Sequence, residues 1–120
     1  EYLLDTFNAT RCFEHFDTPY CFVGHTHLPI IFQMRSANTL AQLQVPEVDS
    51  SSLLQPRAIL NPGSVGQPRD RDPRAAYAIF DTSDPHWEYR RVTYDIGAVQ
   101  SRMLVLGLPD RHIQRLAAGW

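Results

Sequence analysis

Proline and glycine cut this chain into short apolar runs, and that punctuation decides what it can build. With nine prolines and six glycines in 120 residues, no stretch stays apolar for the roughly 18–20 residues that a membrane-spanning helix needs. "YCFVG", "IIFQM", "RAIL" and "AAYAIF" are instead runs of strand length. "YCFVG" is continuously apolar, which predicts a strand buried on both faces. "WEYRRVTY" alternates bulky and charged residues, as a strand with one solvated face does. "TSDP" between the last two runs reads as a hairpin turn. From Ser36 to Gln55 the chain turns polar, with "DSSS" as a loop signal and "TLAQLQV" as an exposed edge strand. Composition leaves open whether this segment is a lid or an oligomer contact.

Helices are expected on either side of the strands. Leu3, Leu4, Phe7, Phe13 and Phe16 fall on a loosely helical spacing and predict a helix within 1–16, ended by Pro19. Asp95 can cap a second helix, whose apolar positions Ile96, Val99, Met103 and Leu106 share one face. Gly107 stops it. A last helix is expected from about Asp110 to Ala118, with Ile113 and Leu116 inward. No repeat and no linker divides the chain, so 1–120 reads as part of a single α/β domain.

Charge and cysteine usage exclude little but point one way. A net charge of -2 and a pI near 6.2 give no electrostatic reason to expect nucleic acid or an anionic membrane. Cys12 and Cys21 sit in no metal or redox spacing, so a reduced, cytoplasmic chain is the default expectation. The sequon at Asn8 stands alone as a sign of secretion. The chain opens on Glu1 without a signal-peptide pattern, and its natural N-terminus is expected to lie elsewhere.

Two loops carry candidate chemistry. In "CFVGHTHLPI", His25 and His27 are two residues apart, and in an extended chain such residues point to one face. Neutral imidazoles there suit transition-metal ions, although a bare His-x-His triplet is weak evidence by itself. "ILNPGSVGQPRD" follows another apolar run and suits an anion. Gly63 and Gly66 permit backbone angles that turn N–H groups toward one point. Ser64 adds a hydroxyl and Arg69 a fork matched to phosphate oxygens. His86, two residues after Asp84, is discounted as part of a hairpin turn. His15 and His112 have no partners in sequence.

Together the two loops carry a resemblance. "FVGHTHLP" resembles the last metal-binding motif, Gly-His-x-His, of the calcineurin-like metallophosphoesterases. "LNPGSVGQPRDRDPRAAYAIFD" is similar to the segment that follows it in the small bacterial and archaeal phosphodiesterase-like branch. "YRRVTYD", "LGLPDR" and "RLAAG" are similar to the way such chains close. Arg71 stands where this branch often carries glycine.

The resemblance implies the C-terminal half of an α/β/β/α sandwich, strands in the middle with flanking helices. It also implies a hydrolase that cleaves phosphomonoesters or phosphodiesters with water activated by two divalent metal ions (Mn, Zn, Fe or Ni). His25 and His27 would each be a ligand, one to each metal. Asn61, Gly63, Ser64 and Arg69 would shape the floor of the site or contact phosphate. No other catalytic residue is expected within this chain. The superfamily's other ligand motifs, Asp-x-His, Gly-Asp and Asn-His with a carboxylate, are expected upstream of Glu1. The alternative is a catalytically inactive scaffold of the same fold that binds partner proteins through its surface.

Overall fold

The computed structural model describes residues 2–36 and 39–120. In chain order the elements are α1 (Thr6–Cys12), a 3-10 turn (Phe13–His15), β1 (Tyr20–Phe22), β2 (Pro29–Gln33), β3 (Gln42–Gln44), β4 (Ser50–Leu53), β5 (Ala58–Pro62), β6 (Ala75–Phe80), β7 (His86–Val92), α2 (Ile96–Val105) and α3 (Asp110–Ala118). The strands form two sheets, ordered β1-β5-β2-β3 and β4-β7-β6. β1 runs parallel to β5, and every other neighbouring pair is antiparallel. No helix among the described residues is long and apolar enough to cross a membrane.

The period of two along each strand builds the layers. Ile31, Ala58 and Leu60 of the first sheet share a buried cluster with Leu54 and with Ala76, Trp87 and Tyr89 of the second. The alternate residues Ile30, Phe32 and Ile59 face the other way, onto Ala9 and Phe13 of the first helical segment. Helix, sheet and sheet therefore stack in that order. Each large side chain so buried contributes about 1.5–3 kcal/mol. Arg57, on the approach to β5, donates to the carbonyls of Phe13 and Phe16. It also lies over both rings, 5.5 and 4.8 Å from their centroids. This fastens the end of the helical segment to the sheet.

The α2–α3 hairpin is held differently. Asp95 caps α2 by accepting from the Ala98 N–H at 2.9 Å. At the other end Gly107, at φ 70, allows a Schellman closure in which its N–H donates to Leu104 O and that of Leu108 to Met103 O, each at 3.0 Å. Yet α2 buries no residue, and Val105 is 85% exposed. The side chain of Gln100 ties it to α3 by donating to Ile113 O at 2.7 Å. α3 ends at Gly119, whose carbonyl accepts from the Arg71 N–H at 2.7 Å. A Cβ at Gly119 would lie 2.9 Å from the Arg71 carbonyl carbon, so only glycine lets the two backbones meet.

Several expectations need correction. Within 1–16 the helix found is Thr6–Cys12, shorter than the apolar spacing from Leu3 to Phe16, because the Asp5 carboxylate accepts from the Asn8 N–H and caps it there. Glu1 lies outside the described residues, as do Ala37 and Asn38 within the polar segment. "DSSS" is not a loop: Ser50–Leu53 is a strand, because pairing with β7 overrides its composition. β1 is not buried on both faces. It is an edge strand paired with β5, and Phe22 remains 56% exposed while touching Phe80 and Trp87. The segment 36–55 gives one edge strand to each sheet, linked by Gln44 donating to Ser52 at 3.3 Å.

Candidate metal centre

Because β1 and β5 are parallel neighbours, their carboxyl ends open on the same edge of the sheet, where α/β proteins place ligands. The loops that follow are tied together from the start. The Val23 N–H donates to Leu60 O at 2.9 Å. Just beyond, the buried Asn61 amide donates to Thr26 Oγ1 at 2.8 Å and to Gly24 O at 3.4 Å. Its own oxygen accepts from the Gly63 N–H at 3.0 Å. One amide side chain thus satisfies groups on both loops, and Thr26, itself buried, is the partner that fixes it.

The histidines do not lie on an extended backbone, so the shared-face argument for them is corrected. His25 has φ 75 and His27 φ 62. The Thr26 N–H donates to Gly24 O at 3.0 Å, closing a γ-turn about His25, a strained conformation for a residue with a Cβ. Strain of this kind persists where surrounding bonds enforce it, and here Asn61 and Thr26 do so. The two rings then meet different partners. His25 is exposed and packs against Tyr2, with centroids 4.4 Å apart. His27 is half-buried, and its Nδ1 lies 2.7 Å from Gln67 O. A carbonyl only accepts, so Nδ1 carries the proton, and Nε2 of the neutral ring keeps its lone pair for a ligand.

The second loop supports that carbonyl. Gly63 has φ 85, and a Cβ there would meet Ala76 at 3.1 Å. Ser64 Oγ accepts from the Gln67 N–H at 3.0 Å, while Ser64 O accepts from Ala76 at 2.9 Å. Arg69 donates from Nη2 to Gln67 Oε1 at 3.0 Å, and its N–H donates to His27 O at 3.4 Å. Asn61, Gly63, Ser64 and Arg69 are therefore brought together around the His27 turn, and Ser64 and Arg69 both contact Gln67. The sequence pattern missed Thr26 and Gln67. Gln67 acts through its main-chain oxygen, which every residue type carries, so no side-chain motif could announce it.

The other histidines stay outside. His86 opens β7 rather than sitting in the turn, and its Nδ1 pairs with Asp84 at 3.0 Å on the exposed hairpin end. His15 is exposed beside α1 and His112 half-buried in α3.

The donor set fits part of a metal centre. A ring nitrogen free while its partner nitrogen donates to a carbonyl is the usual state of a ligating histidine. Two imidazoles without a carboxylate cannot bridge two ions. Among the described residues no group of three or more His, Cys, Asp or Glu could hold a metal.

Fold and loops together resemble part of a metallophosphoesterase, and the comparisons bear out that resemblance. The chain superposes over its whole length on a metallophosphoesterase from Sphaerobacter thermophilus, with TM-score 0.93 and 42% identity, covering 50% of that chain. That extent is consistent with a C-terminal half of the superfamily. It is also 37% identical over 98 residues to the uncharacterized protein MJ0912 of Methanocaldococcus jannaschii, which is 82% of this chain and 38% of that one. The protein PH1004 of Pyrococcus horikoshii shares the fold alone, at TM-score 0.61 and 19% identity, over 92% of this chain and 35% of its own. The chain thus spans half or less of the relatives it matches. No protein-family model matches it.

Proposed function

We propose that this chain is the C-terminal part of a single-domain, metal-dependent phosphoesterase acting on phosphomonoesters or phosphodiesters. His25 and His27 would provide one ligand each to two divalent ions. The observation that carries the reading is the bond between His27 Nδ1 and Gln67 O, which leaves the Nε2 lone pair available to a ligand. Two such ions, when bound, would supply an activated water and a clamp on phosphate oxygens. The chain's own residues do the positioning. Asn61 and Thr26 hold the strained histidine turn, Ser64 holds Gln67, and Arg69 braces both loops. Arg69 has one arm on Gln67, and we assign the rest of its fork to substrate phosphate.

The remaining ligands, carboxylates among them, would come from sequence upstream of Glu1. In the full-length protein, replacing His25 or His27 by Ala should abolish manganese-dependent hydrolysis of an aryl phosphate ester while circular dichroism stays unchanged. Undiminished turnover in both variants at saturating metal would remove the ligand assignment. The 120-residue chain alone should hydrolyse nothing measurable, because two imidazoles form only part of the site. EDTA-sensitive turnover from it would refute the division of the site. An upstream sequence without the carboxylates would favour the protein-binding scaffold instead.

A further inference from the structure

We infer that Arg91 is a positioning residue for this centre, a buried clamp that holds the loop carrying Gln67 and thereby the ring of His27. The inference rests on the proposed role of His27. Arg91 lies on β7, in the second sheet, yet its contacts are with the loop. Its side chain is 1% exposed and pairs with Asp70. Nη1 donates to the carbonyls of Asp72 and Arg74, each at 2.9 Å. The guanidinium carbon lies 5.5 Å from the Tyr89 ring centroid.

Burying a guanidinium carries a large desolvation cost, which good geometry and several acceptors must offset. Arg91 has a carboxylate and two carbonyls, all from 70–74. That segment directly follows Arg69, whose N–H donates to His27 O and whose Nη2 donates to Gln67 Oε1. None of residues 63–74 is itself in a strand or helix, and single backbone bonds tie the segment, from the Ala76 N–H to Ser64 O and from the Arg71 N–H to Gly119 O. The planar fork of Arg91, reaching three acceptors at once, sets where 70–74 lies. Lysine keeps the charge but lacks the fork.

The test uses Arg91→Lys and Asp70→Asn in the full-length protein. In the metal-free state, imidazole nitrogen-15 shifts report the His27 tautomer, and titration with manganese ion alone reports affinity. Wild type should show a single Nδ1–H tautomer. Arg91→Lys should mix the tautomers and weaken manganese binding by about tenfold, the low end for groups that orient a ligand. Asp70→Asn keeps the volume and should move both readouts the same way by less. Folded variants that lose only thermal stability, with tautomer and affinity unchanged, would overturn the inference. If Arg91→Lys fails to fold, the Asp70→Asn tautomer decides alone. Because the tautomer is read without metal or turnover, a failure of the phosphoesterase reading would appear separately, as absent manganese binding in wild type.

Discussion

β2 and β5 each bury four of their five residues, whereas α2 buries none of its ten. The central strands hold the molecule by apolar burial on both faces, between α1 and the second sheet. The hairpin is held by caps, a side-chain bond between its helices, the single buried side chain Leu116 of α3, and the meeting of Gly119 with Arg71. The candidate site grows from the first kind of support: its loops leave β1 and β5 at the sheet's carboxyl edge. The hairpin meets that loop at Arg71 and Asp72. Mutations should therefore divide sharply between the two regions.

The largest difference is expected in the core. Phe32→Ala should cost about 3–5 kcal/mol, since a ring buried between α1 and the sheet leaves a cavity. Leu104→Ala or Val105→Ala on α2 should change stability by no more than about 0.5 kcal/mol. Urea unfolding of the three variants measures this, and equal losses would erase the contrast. Next comes the latch. Gly119→Ala forces a Cβ against Arg71 at positive φ, with an expected cost of about 1–3 kcal/mol. Amide exchange should then rise in α3 while β2 and β5 stay protected. Thr26→Val removes the hydroxyl that accepts from Asn61, leaving a buried amide donor short of its main partner. The loss should be about 1–2 kcal/mol, with faster exchange at Leu28, whose N–H donates to the same hydroxyl at 3.3 Å.

The smallest effect is a pH dependence at the latch. The hydrogen bond from Arg74 holds the Asp72 carboxyl below its ordinary range, with the charge of Arg91 adding and burial opposing. A carboxylate whose pKa is depressed by folding stabilises above its unfolded value, about 3.9, and loses that contribution as pH falls through the lower folded value. Asp72→Asn should therefore flatten the acid limb of the stability curve below about pH 4. An unchanged slope would show that the pair contributes nothing.

Much of this was legible because punctuation is local. Gly, Pro and Asp mark where β2, β5, β6, β7 and both C-terminal helices begin or end, and the alternation in "WEYRRVTY" gives a true one-faced strand. What failed was settled at a distance. Ser50–Leu53 is a strand because β7 lies beside it. Phe22 is exposed because β1 has a neighbour on one side only. At the site, the residue types of both loops were readable; Arg71, noted only as standing where the resembling branch often carries glycine, has φ 68. The γ-turn at His25 was not, because positive φ is ordinarily signalled by glycine. Gln67 and Arg91 were hidden for related reasons, one acting through its backbone and the other from a strand in the second sheet.

We propose that the two loops present His27 Nε2 and the His25 ring to divalent metal. The most direct test of that proposal is metal content of the full-length protein by mass spectrometry after equilibration with manganese. Wild type should hold two ions per chain, and His25→Ala and His27→Ala should each hold fewer, with the fold intact by circular dichroism. Two ions retained in both variants would contradict the assignment of these histidines as ligands.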